Sequence, residues 1–379
     1  LSAHFDTAII GGGLAGLALA IQLADQGWQV VVFEKEQYPF HRVCGEYISM
    51  EAWDFLCSLS LPLDQWNLPR INRLQVTAPD GRKLEARLPL GGFGVSRYKL
   101  DASLAAIAEK RGVQLVTGAK VDAVLSATDG CQLQVRIDGS SQRFDARVCC
   151  GAWGKRSNID LKWQRPFVAD SSTRISNWVG IKYHIRCSWP EDLIGLHNFR
   201  DGYCGISRIE DGWNCLCYLT RAVNLKGLSI PQLEATLMSR NPYLEQVLSN
   251  SKRREGFPLT ISQVSFLPKT QVEQGVLLMG DAAGMITPLC GNGMSMALHA
   301  SKVAALQVGD FLSGKQTRSS MEAAYIREWR RLFQHRLRTG RLLQRFFGSE
   351  QGSNMLVGVM GKLPGLTRTL IRQTHGQPF

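Results

Sequence analysis

The first ordered pattern along the chain is a short apolar run at 8–10, then a cluster of glycines, then a stretch with apolar residues at helical spacing. A second apolar run, 30–33, follows and ends on Glu34. This order predicts strand, turn, amphipathic helix and parallel strand, a βαβ unit. Further on, Ser49 is placed to cap a helix to 56, and runs at 74–78 and 83–88 flank Pro79-Asp80-Gly81 as a hairpin. A helix opens at Ser96 and runs to 111, with short strands after it at 114–117, 121–126, 132–137 and 143–149. From 167 to 266 the pattern turns β-rich, with strands at 178–185, 202–209 and 213–220 and a helical stretch at 231–238. The apolar run 276–279 then leads into Gly280-Asp281-Ala282-Ala283-Gly284, Pro288, Gly291-Asn292-Gly293 and a helix beginning near Met294. In the closing segment Tyr325, Trp329, Phe333, Leu337, Leu343 and Phe347 recur at helical steps.

These elements predict an α/β protein of two domains: a Rossmann-like nucleotide domain at 1–72, 97–160 and 270–305, interleaved with an antiparallel β-sheet substrate domain at 73–96 and 161–269. Residues 306–379 form a C-terminal helical region in this reading.

The glycines carry the first chemistry. In Gly11-x-Gly13-x-x-Gly16, Gly11 permits the tight turn, Gly13 lets backbone approach a pyrophosphate, and Gly16 lets helix and strand pack closely. The pyrophosphate then sits at the positive helix N-terminus. Glu34 is placed to accept hydrogen bonds from a ribose 2′-hydroxyl and would repel a 2′-phosphate, so the nucleotide is expected to be FAD or NAD rather than NADP.

Composition narrows the class. The chain has 379 residues, 44% of them hydrophobic and 20% charged, as in ordinary globular proteins. No run approaches the roughly 18 apolar residues of a membrane span, and no secretory signal opens the sequence. A cytoplasmic protein, at most peripheral to a membrane, is expected. The ten cysteines show no CxxC pair or zinc spacing, so no metal is expected. The net charge of +12 favours acidic partners, and seven arginines lie from Arg327 to Arg345. An acidic carrier protein or an anionic membrane surface is the expected partner, and nucleic acid is not, since no nucleic-acid module is recognisable.

Four blocks in order, the N-terminal glycines, Arg42-Val43-Cys44-Gly45-Glu46, Gly151-Ala152-Trp153-Gly154-Lys155-Arg156-Ser157 and the Gly280–Gly293 segment, resemble one flavoprotein superfamily. It includes p-hydroxybenzoate hydroxylase, flavin-dependent halogenases and geranylgeranyl reductases. The resemblance implies that Gly11, Gly13, Gly16, Glu34 and Lys35 hold the adenosine end of FAD. It further implies that Arg42, Cys44, Gly45 and Arg97 lie near the cofactor and that Asp281 meets its ribityl chain. Pro288, Gly291, Asn292 and Gly293 would face the flavin pyrimidine, where backbone N–H groups at a helix start stabilise negative charge. Cys44 is the candidate catalytic residue, with Arg42 expected to favour its thiolate. Trp178, Tyr203 and Gly205 are expected to line the substrate cavity.

Two departures bear on the reaction. Trp153 stands where hydroxylases carry an aspartate, and Tyr203-Cys204-Gly205 lacks the tryptophan and proline of the halogenase strand. The expected function is FAD-dependent, NAD(P)H-driven monooxygenation of an apolar or aromatic small molecule, free or carrier-bound. Geranylgeranyl-reductase-like reduction of isoprenoid double bonds is the alternative, suggested by Cys44-Gly45. Non-enzymatic binding of lipid or prenyl groups on the same fold is a third.

Overall fold

The computed structural model describes residues 3–127, 130–169, 177–347 and 349–379. Its first sheet is built on the strand Ala3–Ile10, in which Ala8, Ile9 and Ile10 are consecutively buried. A run buried on both faces belongs in a parallel sheet covered by helices on each side. Val276–Leu278, Ser140–Gly151, Ala3–Ile10, Val30–Phe33 and Gln114–Val116 lie side by side in that order, all parallel. Ala119–Ala127 and Gly130–Ile137 extend this sheet as an antiparallel pair onto Ser140–Gly151. The helix Leu14–Asp25 is buried along most of its length because it is wedged between the sheet and the helix Gly293–Leu312.

Among the described residues the second sheet has nine strands. Its centre runs Trp178–Arg186, Asn214–Arg221, Gly202–Arg208, Leu193–Phe199, Arg70–Thr77, Lys83–Gly94 and Tyr47–Ser49. All these neighbours are antiparallel except Leu193–Phe199, which pairs parallel with Arg70–Thr77. Two features differ from the sequence reading. The sheet takes in Tyr47–Ser49 and Arg70–Thr77, both beginning before residue 73, and a three-residue strand is too short to carry a periodic signal. Leu193–Phe199 is not expected from the pattern because Gly195, His197 and Asn198 break its apolar run, although the last three residues are all buried.

The C-terminal region is fastened to the nucleotide domain by the stripe the sequence shows. On the helix Arg318–Phe346, Tyr325, Trp329, Phe333 and Leu337 are all buried. Tyr325 Oη donates to the Leu278 carbonyl at 2.6 Å, and the Trp329 ring lies so close to Gly284 that a Cβ there would meet it at 2.8 Å. Gly340 sits flat on Ile286, Thr287 and Cys290. The helix therefore braces the loop between Asp281 and Gly293. Two further helices, Glu350–Lys362 and Pro364–Thr374, cross the second sheet against Lys83–Gly94.

Trp329→Ala should cost about 3–5 kcal/mol of stability, as for a large buried aromatic, measured by chemical denaturation. An unchanged midpoint would show the long helix to be an appendage rather than a brace.

Candidate active site

The loops at the C-terminal edge of the parallel strands open onto a cavity of about 1100 Å³ that continues beneath the second sheet. Ordinary ligand pockets run to roughly 300–1,000 Å³, so this one has room for a dinucleotide and a further molecule. Gly11, Gly13, Glu34, Lys35, Arg42, Cys44, Gly45, Arg97, Asp281, Pro288, Gly291 and Gly293 line it, as do Tyr203 and Gly205. Three predicted residues stand apart. Gly16 packs under the turn, Asn292 is buried with its amide donating to the Thr374 carbonyl, and Trp178 lies on the wall of a second cavity.

The glycines separate into two roles. Gly11 has φ +104°, and a Cβ on it would meet the Ala152 carbonyl oxygen at 2.5 Å. A Cβ on Gly16 would lie 2.0 Å from the Gly11 oxygen, so only glycine lets this helix seat on its strand. At Gly13 the nearest atom would be Arg97 Nη2 at 3.6 Å, which leaves the protein unstrained and points any side chain into the cavity.

Behind the glycines, charge is organised on two buried acids. Glu34, 3% exposed, accepts from Gly12 N at 2.8 Å and Arg42 Nη2 at 2.9 Å. Asp101 receives both Nε and Nη2 of Arg97 at 2.7 Å, one turn apart on the helix Arg97–Lys110, and Arg42 Nε at 3.2 Å. Burial works against the Arg97 charge, and the Asp101 pair more than offsets it, so its pKa is raised. Arg97 is thus held charged at the cavity wall, beside Arg42. Tyr38 closes over the turn with its hydroxyl on the Gly12 carbonyl.

Asp281 is different. Its carboxylate has no hydrogen-bond partner among the described residues, and burial raises its pKa against the pull of Lys269, Arg97 and Lys155. A mostly buried acceptor left unpaired in this way suits a hydroxyl-bearing chain. Together with the open space at Gly13 and the helix start at Gly293, these residues fit FAD.

The Arg42–Glu46 turn joins this half of the site to the second sheet. Lys182 donates to the Arg42 carbonyl at 3.0 Å, Cys215 to the Cys44 carbonyl at 3.3 Å and Ser207 to the Gly45 carbonyl at 3.4 Å. Glu46, with φ 55°, is fully buried. One of its oxygens takes the Lys182 ammonium and the Arg97 backbone N–H, the other His184 Nε2 at 2.6 Å. Burial alone would raise the Glu46 pKa, but Lys182 and His184 hold it at about 2. Glu46, His184 and Cys215 bring potential metal-ligating atoms within 4.8 Å of one another, yet the Lys182 ammonium already occupies the carboxylate.

Two sequence expectations change. Arg42 points to Glu34 and Asp101, leaving Arg97 and, more weakly, Lys182 as the cations that act on Cys44; burial outweighs them and raises the thiol pKa. Cys44 is therefore a protonated thiol, not a thiolate, with Sγ 3.6 Å from Met294 Sδ. Trp153 fills the floor beside Gly151 and donates Nε1 to Asp160 at 3.0 Å, so the indole has a packing and anchoring role. Sequence reasoning missed Asp101, Lys182 and His184. The signals were present: Asp101 stands four residues after Arg97, and Lys182 and His184 share one face of an otherwise apolar strand.

Gly13→Val should abolish flavin absorbance in purified protein while leaving the melting curve of the apoprotein intact. Gly16→Val should lower the melting temperature of the apoprotein itself. Equal loss of fold in both variants would contradict the division of roles.

The FAD dependent oxidoreductase family model matches residues 6–42, and the squalene epoxidase model matches residues 242–331. Conditioned medium factor receptor 1 of Dictyostelium discoideum is 25% identical over 80% of this chain, which spans only 62% of that protein's length. Digeranylgeranylglycerophospholipid reductase 1 of Methanothermobacter thermautotrophicus is 24% identical over 80% of this chain and 78% of its own. Among solved structures, a geranylgeranyl bacteriochlorophyll reductase-like protein of Thermoplasma acidophilum superposes with a TM-score of 0.79 at 16% identity, over 98% of this chain and 97% of its own. The matched nucleotide motif and the residues gathered around the cavity mark the chain as similar to FAD-dependent oxidoreductases, with a digeranylgeranylglycerophospholipid reductase among its relatives and the fold of a geranylgeranyl-reductase-like protein.

Proposed function

We propose that this FAD-dependent oxidoreductase reduces carbon–carbon double bonds in an apolar, isoprenoid-like substrate, with NAD(P)H as the electron donor. The observation that carries the reading is the wall opposite the cofactor residues. Leu196, Leu219, Ile261, Val264 and Met285 line it, and Gly205 adds no side chain among them, a Cβ there being already in ordinary contact with the Cys217 carbonyl oxygen at 3.6 Å. Such a surface accepts a hydrocarbon chain and offers it few polar contacts. Reductase relatives that act on digeranylgeranyl lipids support the same substrate class. Reduction thus moves ahead of the monooxygenation expected from sequence.

Bound FAD supplies hydride chemistry. The chain's own part is to bind, orient and protonate. Arg42 and Arg97 would offer positive charge to the phosphates, and the Asp281 carboxylate would accept from the hydroxylated linker. Backbone N–H groups at Gly293 present the positive end of a twenty-residue helix. Cys44, held protonated by burial at the edge of the apolar cavity, is the proton donor to the carbon that does not receive hydride. Solvent returns that proton through the cavity mouth. Water exclusion by the second sheet keeps the remaining surface apolar.

A second reading, oxygenation of the same kind of chain, is favoured by the squalene epoxidase match over residues 242–331. Oxygen dependence separates the two. Reduced holoenzyme mixed anaerobically with geranylgeraniol should add two hydrogens per double bond, read by mass spectrometry. Cys44→Ser should slow this step by about 10²-fold with flavin content unchanged. No saturation without O₂, and product carrying oxygen from O₂ in air, would replace the first reading by the second.

A further inference from the structure

A second cavity, of about 960 Å³, opens between the second sheet and the C-terminal helices. Four arginines line it: Arg200 just past Leu193–Phe199, Arg221 at the end of Asn214–Arg221, and Arg341 and Arg345 one turn apart on Arg318–Phe346. Asp201 and Glu350 are the acids in its lining, and Asp201 approaches Arg200 only to 3.9 Å. Among the described residues no carboxylate forms an ion pair with Arg221, Arg341 or Arg345. Arg341 is half-buried, and burial together with nearby Arg338 lowers its pKa, the mark of a guanidinium short of a counter-charge.

The walls add hydrogen-bond donors. Among the described residues Trp178 Nε1 and Gln344 Nε2 are buried without a partner, on side chains 3% and 7% exposed. The Asn354 amide, also without a side-chain partner, serves as donor or acceptor according to which way it is turned. Positive charge and unsatisfied N–H groups together call for a ligand made of anionic acceptor oxygens. Planar guanidinium forks match phosphate oxygens in pairs, where ammonium groups act only as point charges.

One aromatic layer separates this cavity from the flavin-facing one. Phe347 lines the basic side and meets Tyr203, which lines the other, edge-on with centroids 6.3 Å apart. Trp178 and Phe266, edge-on at 6.4 Å, continue the layer on the basic side, next to Leu219 and Val264 on the other. The basic stretch of the long helix also divides along its length. Arg331 is spent on Glu328 and Arg330 Nε meets Gln271, whereas Arg341 and Arg345 turn to the cavity.

We propose that this cavity binds the phosphate-bearing end of the substrate, with Arg221 and Arg341 as its main ligands, while the attached apolar chain passes the Tyr203–Phe347 layer into the flavin-facing cavity. The part of this concerning the chain rests on the function proposed above; the anion site stands on its own residues. It makes the preferred substrate an amphiphile with a phosphate head rather than a neutral isoprenoid.

Holoenzyme is titrated calorimetrically with geranylgeranyl diphosphate, geranylgeraniol and inorganic diphosphate. The diphosphate ester should bind at least about tenfold more tightly than the alcohol, as two or more charge-assisted hydrogen bonds require. It should also bind more tightly than inorganic diphosphate. The Arg221→Ala, Arg341→Ala double variant should bring ester and alcohol to within about twofold, with the alcohol's affinity unchanged. Arg345→Ala, at an exposed position, should narrow the gap in part and covers the case in which the double variant fails to fold. Equal affinity for ester and alcohol in the wild type, or a preference that survives removal of the arginines, would overturn the anion site. Inorganic diphosphate binding as tightly as the ester would overturn the tethered head. Binding rather than turnover is read, so a clear preference without double-bond reduction would sink the reductase reading and leave this site standing.

Discussion

A carboxylate with no access to water, Glu46, holds the two halves of this protein in register. Burying a charge is costly unless it is paired and hydrogen-bonded, and removing one partner leaves the penalty uncompensated. Lys182 and His184 supply the pairing from the second sheet, and the Arg97 N–H supplies a further bond from the first turn of a nucleotide-domain helix. The three backbone carbonyls at Arg42, Cys44 and Gly45 are fixed to the same sheet. The turn that faces the flavin site thus belongs structurally to the substrate domain. A displacement of one domain against the other would have to break a buried ionic network, so the distance between cofactor and substrate surfaces is set by chemistry at the junction.

The opposite side of the site is fixed by shape rather than charge. Trp329, Tyr325 and Gly340 of the long helix fit against Gly284, the Leu278 carbonyl and the Thr287–Cys290 turn, and the end of the chain reaches back so that Thr374 accepts from Asn292. His299, an acid–base candidate by type alone, is stacked at 4.1 Å on Phe379 and has a packing role. The C-terminal helices therefore complete the flavin-side loop while their outer arginines face the second cavity. One element thus braces the flavin-side loop and lines the second cavity.

What the sequence makes legible follows from how local each signal is. The Gly11–Gly16 turn, Glu34 and the strand around them are encoded within one βαβ unit, and the hairpin at Pro79-Asp80-Gly81 within one turn, so both are readable. The strand Tyr47–Ser49 is too short to show a period, and its place in the second sheet depends on a partner more than forty residues away, at Phe93. Lys182 and His184 are visible as polar residues in a largely apolar strand, but their partner Glu46 lies 136 residues from Lys182 in sequence, and only the fold brings them together. The meaning of Trp153 is equally non-local, since its anchor Asp160 is useful only where Arg165 and Ser157 N also converge on it. Charge counting finds the basic C-terminal helix without telling which arginines are paired and which face a cavity.

The most direct test of the central claim is a double-mutant cycle on the buried pair. Stability and FAD affinity would be measured for wild type, Glu46→Gln, Lys182→Met and the double variant. Each single change should cost about 3–5 kcal/mol, because it leaves a buried charge or acceptor without its partner. The double variant should recover a substantial part of that loss, a coupling of about 1–3 kcal/mol, and FAD affinity should fall and recover in parallel. Additive losses in both quantities, or singles that leave FAD binding untouched, would contradict the account by showing that the junction does not hold the flavin site in place.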